Sequence, residues 1–326
     1  MGRGAGGGES LMQILEGYEN VPPAARGAVL AIGNFDGVHR GHQALLTAAI
    51  KAAREIGAPA GALIFEPHPH EFFHPEESHF HLTPLAQKLA IFEALGLDLA
   101  VVLAFDAELA GLSADDFIAR VLVDGLSARH VVIGHDFFFG RSRGGTPESM
   151  CASAQRLGFG VTVVAPVAAD GEVFSSSAIR LRLAQGDVKG AAAMLGRAWR
   201  VEGKVVGGAK RGAELGFPTA NVPLPRGTGL GHGIYAVRAY VAGERYDGAA
   251  YLGTRPTYDD GMPVLEVFLF AFDSDLYGRE IEVEFIDFVR GDRKFASSEA
   301  LIAQMQADCA RAGEILAAAP VPPVSR

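Results

Sequence analysis

Residues 29–42 read VLAIGNFDGVHRGH: an apolar run, a glycine-broken turn and the start of a helical stretch that continues over residues 43–56. The glycines let backbone N–H groups approach an anion, and a helix N-terminus adds partial positive charge at the same point. His39 and His42 are three residues apart, so on a first helical turn both imidazoles face one side and can donate hydrogen bonds to an oxyanion. The pattern fits a phosphate site, but also a surface turn with incidental histidines or a metal-binding histidine pair. The candidate site residues of this stretch are Gly33, Asn34, Phe35, Asp36 and Gly37, with His39 and His42 as the catalytic side chains.

Outward from this stretch, apolar β-type runs alternate with helical ones. The runs that predict strands are residues 29–32, 61–65, 99–105, 130–133 and 160–165. The runs that predict helices between them are residues 43–56, 84–95, 113–122 and 146–157. This alternation predicts an α/β, Rossmann-like domain whose parallel sheet has helices on both faces and binds ligands at the carboxyl ends of its strands.

Two loops follow predicted strands at that edge. The first, FEPHPH at residues 65–70, carries histidines that are either loop residues or part of a site wall. The second, GHDFFFGRSRGG at residues 134–145, has phenylalanines that complete a core or stack on a planar, partly anionic ligand. Asp136 and Phe137 are its candidate binding residues.

The segment FSSSAIR at residues 174–180 precedes another predicted helix, which runs to about residue 185. Serine at a helix start is ordinarily an N-cap. Hydroxyls and an arginine at a helix N-terminus also suit a triphosphate, which makes Ser176 and Arg180 candidates for nucleotide binding.

The pattern changes after residue 188. A short alanine-rich helix over residues 187–200, carrying the only tryptophan, Trp199, leads into predicted strands with little helix between them. These strands are residues 201–206, 233–241, 245–252, 264–271 and 281–289, and a helix over residues 298–318 follows. Several such strands in about 100 residues predict a small antiparallel β-barrel with a C-terminal helix. We therefore predict one domain over residues 1–188 and a second over residues 189–326.

The predicted barrel has its own glycine-rich stretch, GKVVGGAKRG, which leads into LGFPTANV at residues 215–222. Its glycines with Lys210 form either a phosphate lid or a solvated loop. Thr219 and Asn221 offer oxygen ligands of the kind that Mg²⁺ accepts beside water and phosphates.

One carboxylate in the predicted barrel has an unusual position. Glu266 shares its strand face with Phe268 and Phe270, so it is either exposed at a sheet edge or functional. A functional carboxylate there could act as a general base.

Composition and charge exclude several classes of protein. The 326 residues are 49% hydrophobic and 21% charged, as in ordinary globular proteins, and the net charge is −9. This net negative charge argues against a broad surface for nucleic acid or anionic membranes, because such a surface needs a basic face. Only two cysteines occur, Cys151 and Cys309, too few for a disulfide framework. No apolar run approaches the roughly 20 residues of a membrane span. The glycine-rich start lacks the apolar core of a signal peptide. We expect a cytoplasmic protein.

The first-domain motifs together resemble those of bacterial FAD synthetases. GNFDGVHRGH matches the GxFDGxHxGH form of the HxGH nucleotidyltransferase signature, whose histidines contact nucleotide phosphates and build no metal cluster. Residues 65–70 are similar to the family's FxPHP segment, and residues 134–145 to the GxDFxFGxxxxG segment that holds the flavin. Residues 175–180 resemble its SSTxIR motif, with Ser177 in place of the threonine.

The second-domain motifs resemble the riboflavin kinase signature GxVxxGxxxGxxxGxPTAN. The resemblance implies that Gly207, Lys210 and Pro218 bind nucleotide, that Thr219 and Asn221 engage Mg²⁺ and ATP, and that Glu266, ahead of FDSDLYG at residues 272–278, is the base. Two departures stand out. Val267-Phe268 replaces the family's frequent Thr-His, and Tyr251-Leu252-Gly253-Thr254 replaces its frequent Asn-Ile-Gly-Thr, for which we expect altered packing beside the flavin.

The resemblance covers residues 11–318 and implies a bifunctional enzyme of riboflavin, FMN and FAD metabolism. Riboflavin would take the γ-phosphate of Mg-ATP to give FMN and ADP, and FMN would attack a second ATP to give FAD and pyrophosphate. We expect neither nucleic acid nor membrane as partner, and a monomer or weak homo-oligomer. The alternatives are a cytidylyl- or pantetheine-type nucleotidyltransferase, a kinase with an inactive first domain, and a flavin-binding regulator without turnover.

Overall fold

The computed structural model describes residues 11–169, 171–207, 215–225, 227–253 and 264–320. The chain divides into two compact units. The first comprises the residues before Ser78 together with Thr83–Phe174, and the second comprises Ser78–Leu82 and the residues from Ser175 onward. The chain therefore passes through the second unit briefly at residues 78–82. The predicted domain boundary between residues 188 and 189 stays a prediction.

A parallel sheet organises the first unit, as predicted. Its strands, within the described residues, follow the order β1-β4-β3-β2-β5-β6. They are β1 (Gln13–Glu16), β2 (Val29–Ile32), β3 (Ala60–Glu66), β4 (Leu99–Ala104), β5 (His130–Gly134) and β6 (Gly160–Val164). The strand order reverses between β2 and β5, and ligands of open α/β sheets bind at such a switch point. The turn after β2, with which the sequence argument began, lies there.

Helices cover both faces of this sheet. They are α1 (Arg40–Ile56), α2 (Pro69–Phe73), α3 (Leu85–Leu95), α4 (Ala107–Gly111), α5 (Ala114–Asp116), continued by a wider π-helical segment over Phe117–Gly125, and α6 (Pro147–Leu157). Alternate residues of β2 belong to opposite apolar clusters: Leu30 and Ile32 to one, Val29 and Ala31 to the other. Burial on both faces explains why this strand is a continuous apolar run. A short ribbon of β7 (Ala168–Ala169) and β8 (Glu172–Val173) ends the unit.

Several elements of the first unit were not predicted, among them β1, α2, α4 and the ribbon of β7 and β8. Strand β1 lies at the sheet edge, and only Leu15 of its four residues is buried, so it lacks a strong apolar pattern. Helix α2 falls in the segment predicted as a loop. The His68 side chain accepts a hydrogen bond from the backbone at its start, and Glu71 completes the capping box. A five-residue helix of this kind depends on capping rather than on apolar periodicity.

An antiparallel barrel organises the second unit, which confirms the predicted architecture. In the described residues its strands follow the order β10-β13-β12-β11-β14-β9. They are β9 (Trp199–Lys204), β10 (Ala220–Pro223), β11 (Gly233–Val241), β12 (Glu244–Gly253), β13 (Val264–Leu269) and β14 (Glu280–Arg290). The amide of Val206, just beyond β9, donates to the carbonyl of Asn221 in β10 at 2.9 Å. This bridge joins the two edge strands of the sheet.

The helices of the second unit are α7 (Ser176–Ala184), α8 (Val188–Leu195) and α9 (Ser298–Ala318). The prediction of helix through residue 200 was wrong. Gly196, in the left-handed conformation at φ 78°, ends α8, and Trp199 is the first residue of β9. Its indole is buried and donates to the carbonyl of Leu82 at 3.0 Å, so the tryptophan serves the packing of this unit. None of the described helices combines the length and hydropathy required to span a membrane.

Arg238 of β11 holds α9 against the barrel through hydrogen bonds. The side chain is 2% exposed, and its guanidinium donates to the carbonyls of Leu316, Ala319 and Pro320 at 3.2, 3.0 and 2.6 Å. These carbonyls belong to the helix C-terminus and the residues just beyond, where helical acceptors lack intrahelical donors and a cation is favoured.

Replacement of Arg238 by methionine is expected to destabilise the second unit by about 3–5 kcal/mol, because three acceptors lose a buried charged donor. Urea unfolding followed by circular dichroism measures the change. The exposed Arg245 on β12 supplies the control, since Arg245→Met should change stability by less than about 0.5 kcal/mol. Equal effects of the two substitutions would show that the guanidinium does not hold α9.

Candidate active sites

The turn between β2 and α1 is strained. Phe35, Gly37 and Val38 have φ angles of 49°, 86° and 39°. The left-handed region is costly for a β-branched residue such as Val38, on the order of 1–3 kcal/mol, and such residues cluster at functional sites. The amide of Val38 donates to the Phe35 carbonyl at 3.0 Å, and the Gln43 side chain donates to the Val38 carbonyl at 2.8 Å. These bonds hold the chain in a tight turn that leads directly into α1.

His39 and His42 lie on one side of the α1 N-terminus, as their spacing predicts. Their rings stack with centroids 3.6 Å apart and an interplanar angle of 21°. His39 is the N-cap, and its Nδ1 accepts from the His42 amide at 3.3 Å. A Cβ on Gly41 would lie 3.0 Å from the His39 ring, so a side chain at position 41 would crowd the His39 imidazole. The N-cap bond fixes the His39 tautomer, because its Nδ1 must carry the lone pair.

The His42 imidazole is held uncharged. Burial lowers the pKa of His42 well below its ordinary value of 6.5, and the neighbouring charges of His39 and Lys88 lower it further. Its Nδ1 is buried and has no hydrogen-bond partner among the residues that the structure describes. A neutral imidazole at a helix N-terminus can donate one N–H to a ligand oxygen without carrying charge into the protein interior.

The other predicted residues of the turn differ in their placement. Phe35 is fully buried and packs edge-on against His42 and Phe92, with ring centroids 5.3 and 5.6 Å apart. Asp36 is also buried, and its Oδ1 accepts from the Thr83 amide at 3.1 Å. Asn34 Oδ1 is buried with no hydrogen-bond partner in the described part of the chain. Phe35 and Asp36 therefore position the turn through their packing.

The sequence reasoning missed one ionic pair near this turn. Lys88, on α3, has a side chain only 3% exposed, and its Nζ lies 3.2 Å from Glu66 Oε1 at the end of β3. A signal was present, because Leu85, Lys88 and Phe92 follow the i, i+3, i+7 spacing of a core-facing stripe. A lysine on such a stripe needs a charged partner.

The loop after β5 exposes Phe138 to solvent, whereas the sequence predicted Phe137 as its binding residue. Phe137 stacks on Phe139 at 5.3 Å and packs against the core, whereas the Phe138 ring is 45% exposed. The Arg143 guanidinium lies 5.1 Å from the Phe138 ring centroid, a cation–π distance. Asp136 is exposed at the carboxyl end of β5. The accessible aromatic face of this loop is therefore Phe138 with Arg143.

A second exposed aromatic group lies beyond β3 and β4, where no site residue was predicted. Phe72 and Phe73, of α2, contact Phe105 with centroids 5.4 and 5.8 Å away, and Phe73 is 59% exposed. His68, in the same loop, caps α2. The signal in the sequence was the pair of phenylalanines at positions 72 and 73, one residue after FEPHPH.

Ser176 and Arg180 belong to the second unit. Ser175, rather than Ser176, is the N-cap of α7, and its hydroxyl accepts from the Ala178 amide at 3.2 Å. Arg180 donates through Nε to the Phe80 carbonyl at 2.9 Å, and its Nη2 lies 3.3 Å from His79 Nε2. The segment at residues 78–82 thus holds Arg180, whose predicted contact with a triphosphate stays a prediction.

In the barrel, strand pairing brings two predicted residues together. Asn221 of β10 lies directly opposite Glu266 of β13, and Tyr251 of β12 lies opposite Glu266 on its other side. Directly opposed side chains share a face, with Cβ atoms about 4.5–5.5 Å apart. Asn221 is 7% exposed and Glu266 half-buried. An amide, a carboxylate and a phenol therefore form one row across three strands.

The other residues that the sequence predicts for a site in this unit are Gly207, Lys210, Pro218 and Thr219. Pro218 is exposed, and Thr219 is half-buried just before β10. Phe217 contacts Phe268 edge-on at 5.3 Å. Gly207 is described, but the candidate Lys210 lies outside the described residues. No cluster of three or more histidine, cysteine, aspartate or glutamate side chains suited to a metal ion occurs within the described ranges.

Comparisons with known proteins match both halves of the chain. One family model, described as FAD synthetase, matches residues 21–178, and another, described as riboflavin kinase, matches residues 195–316. A bifunctional riboflavin kinase/FMN adenylyltransferase of Pseudomonas fluorescens is 42% identical over 307 residues, covering 94% of this chain and 98% of that protein. The protein of the same description from Haemophilus influenzae is 38% identical, over 91% of this chain and 97% of its own length. A solved structure described as a macrolide-efflux protein from Streptococcus pneumoniae is 29% identical with a TM-score of 0.83, over 95% of this chain and 100% of that chain.

Proposed function

We propose which residues carry out each reaction, starting from the family of the chain. This chain belongs to the family of bifunctional riboflavin kinase/FMN adenylyltransferases. The enzyme phosphorylates riboflavin with ATP to give FMN and ADP. It then adenylylates FMN with a second ATP to give FAD and pyrophosphate. Both reactions depend on positioning and charge neutralisation, so neither requires a covalent nucleophile on the protein.

We assign the kinase reaction to the row of side chains in the barrel. Glu266 accepts the proton of the riboflavin 5′-hydroxyl while that oxygen attacks the γ-phosphorus of ATP and ADP leaves. The observation that carries this assignment is the pairing of Glu266 with Asn221, which puts a base directly opposite a candidate metal ligand. Gly207, Lys210 and Pro218 keep their predicted role in binding the nucleotide.

Thr219 and Asn221 fit a magnesium ion by their donor chemistry, since hydroxyl and amide oxygens are hard ligands that can share the ion with phosphates. Asn221 is buried and in register with a carboxylate, where a divalent cation offsets negative charge. Mg²⁺ bound there would neutralise the charge of the ATP phosphates. Thr219 and Asn221 would hold the ion, and Glu266 would keep its role as the base.

We assign FAD formation to the N-terminus of α1. The FMN phosphate oxygen attacks the α-phosphorus of ATP and pyrophosphate leaves, while the imidazole of His42 donates to the phosphate oxygens as their charge shifts. The stacked histidine pair at the switch point of the sheet supports this assignment. The helix N-terminus adds partial positive charge in the same direction. Gly33, Asn34 and Gly37 shape the turn, and Asp136 keeps its predicted binding role.

The flavin ring of FMN has candidate aromatic partners in the same unit. We propose that it stacks on an exposed phenylalanine, for which Phe138 and Phe73 are better placed by their exposure than Phe137. We further propose that the enzyme works in the cytoplasm as a monomer or weak homo-oligomer. Its two cysteines, which are free thiols in the structure, fit a reducing compartment.

Separation of flavins after incubation of the purified protein with riboflavin, ATP and Mg²⁺ tests the function. We expect riboflavin to be converted to FMN and then to FAD, with ADP and pyrophosphate as coproducts. FMN supplied as the sole flavin should also give FAD, which a kinase with an inactive first domain would not do. Tight flavin binding without ATP consumption would instead identify a regulator and would overturn the proposal.

A further inference from the structure

Three residues of the turn between β2 and α1 have left-handed backbones, and each is accommodated in a different way. Gly37 adopts φ 86° without steric cost, because glycine has no Cβ. Phe35, at φ 49°, is fully buried, and its ring packs edge-on against Phe92. Val38, at φ 39°, is also fully buried, and both its N–H and its C=O form hydrogen bonds. A β-branched residue keeps such a conformation only where its surroundings impose it, so the bonds at Val38 are structurally important.

Gln43 provides the bond to the Val38 carbonyl. Its side-chain Nε2 donates to that oxygen at 2.8 Å, and its backbone N–H donates to the next carbonyl along the chain, that of His39, at 2.9 Å. The bond to His39 is the first of the ordinary helical ladder. The backbone N–H four residues after Val38 is that of His42, and it donates to His39 Nδ1. The Gln43 side chain therefore supplies a donor to a carbonyl that precedes the helix.

The position of Gln43 on α1 is unusual for a polar residue. Leu46, Ile50 and Ala53 follow it at spacings of three, seven and ten residues, which puts all four on one face of the helix. Those three residues are buried, and Gln43 is half-buried. An apolar side chain would suit the start of this stripe better, so packing does not account for an amide there. The hydrogen bond to Val38 does.

We propose that Gln43 is a positioning residue for FAD formation: its side-chain amide fixes the peptide between Val38 and His39 and thereby sets the orientation of the stacked histidine pair. This inference rests on the proposed function of that pair. The peptide is planar, so a bond to the Val38 carbonyl restrains the whole plane up to the Cα of His39. Gln43 needs no contact with substrate in this role.

The contacts of His39 show how the restraint reaches both imidazoles. His39 is the N-cap of α1, its Nδ1 accepts from the His42 backbone at 3.3 Å, and its ring stacks on that of His42 at 3.6 Å. A rotated peptide would move the His39 ring, break the N-cap bond and separate the two rings. One peptide plane and one N-cap bond thus connect the Gln43 side chain to the predicted catalytic histidines.

The first test compares wild type with Gln43→Met, in which methionine keeps the length and helix propensity of the side chain but lacks the N–H donor. We expect kcat for FAD formation from FMN and ATP to fall by about 10- to 100-fold, because displacement of a catalytic group by about 1 Å has effects of this size. The KM values should change little, since the histidines act on the charge that develops in the transition state. Gln155, exposed on α6, supplies the matched control, and Gln155→Met should leave kcat unchanged.

Removal of the backbone strain separates a positioning role from a role in helix stability. Glycine adopts a positive φ without steric cost, so Val38→Gly no longer needs to be held in place. If Gln43 acts by holding Val38, Gln43→Met should lower kcat by less than about threefold in the Val38→Gly background. A contribution of Gln43 to the stability of α1 alone would have the same effect in both backgrounds.

Nuclear magnetic resonance of protein labelled with ¹⁵N-histidine gives a second measurement, which serves also if Val38→Gly does not fold. In wild type the N-cap bond requires the lone pair of His39 to be on Nδ1. We expect Gln43→Met to lose this tautomer signature, which is assigned by comparison with His39→Ala. A residue that only stabilises the helix would leave the signature unchanged.

Three results would overturn the inference: FAD formation by Gln43→Met within about twofold of wild type, an equal loss of kcat in the Val38→Gly background, or an unchanged His39 signature in Gln43→Met. Wild-type protein in the same assay keeps the two proposals apart. If wild type makes no FAD from FMN, the proposed function fails, whereas equal rates in wild type and Gln43→Met contradict only the role of Gln43.

Discussion

Replacement of Glu266 by glutamine is expected to slow riboflavin phosphorylation by about 100- to 10,000-fold, because the 5′-hydroxyl then loses its general base. The substitution keeps the size of the side chain, so the row with Asn221 and Tyr251 should keep its packing. The KM for ATP should change little, since a base acts in the transition state. Initial rates of FMN formation, with ATP and riboflavin varied separately, measure both effects.

Two comparisons make this prediction specific. The Glu266→Gln protein should convert supplied FMN to FAD at the wild-type rate. Glu280, an exposed carboxylate at the start of β14, provides the control, and Glu280→Gln should phosphorylate riboflavin normally. A Glu266→Gln enzyme with an unchanged rate of phosphorylation would show that another group takes the proton.

Replacement of His42 by alanine should lower the rate of FAD formation by about 100- to 1,000-fold, the usual effect of losing one preorganised donor to a developing charge. In the wild-type enzyme, burial lowers the pKa of His42, so the neutral donor persists as the pH falls below 6.5. The rate of FAD formation should therefore decline only at a lower pH, where His42 becomes charged. A pH–rate profile for FMN and ATP measures this limb.

Asparagine at position 42 is the partner substitution, because its amide keeps an N–H donor in a smaller side chain. We expect His42→Asn to retain more activity than His42→Ala. Both proteins should phosphorylate riboflavin normally, which also shows that they are folded. FAD formation at the wild-type rate by His42→Ala would contradict the assignment of the histidine pair.

The sequence predicted most of the architecture because both sheets produce strong periodic patterns. The doubly buried strand at Val29–Ile32 is a continuous apolar run, and the stacked histidines follow from a three-residue spacing on one helical turn. What failed was the position of one helix end. Trp199 continues an alanine-rich stretch in the sequence but begins a strand, because Gly196 ends the helix before it.

Two of the details that escaped prediction depend on three-dimensional arrangement, namely the orientation of a loop and the register of a strand pair. Whether Phe137 or Phe138 of the GHDFFFG loop faces solvent depends on how the loop closes, through the paired backbone bonds of Phe139 and Gly145. By contrast, the ion pair of Lys88 could have been predicted, because a lysine on an apolar stripe needs a charged partner. The register that aligns Asn221 with Glu266 joins residues far apart in the chain, and no local pattern determines it.

Complementation between the two variants tests most directly the claim that one chain holds two separate catalytic sites. Glu266→Gln and His42→Ala proteins are each incubated with riboflavin, ATP and Mg²⁺, and then together in equal amounts, and the flavins are separated by chromatography. We expect riboflavin to persist with the first protein, FMN to accumulate with the second, and FAD to form in the mixture, because free FMN can pass from one protein to the other. Failure of the mixture to form FAD, while each variant retains its single reaction, would contradict independent sites that exchange free FMN.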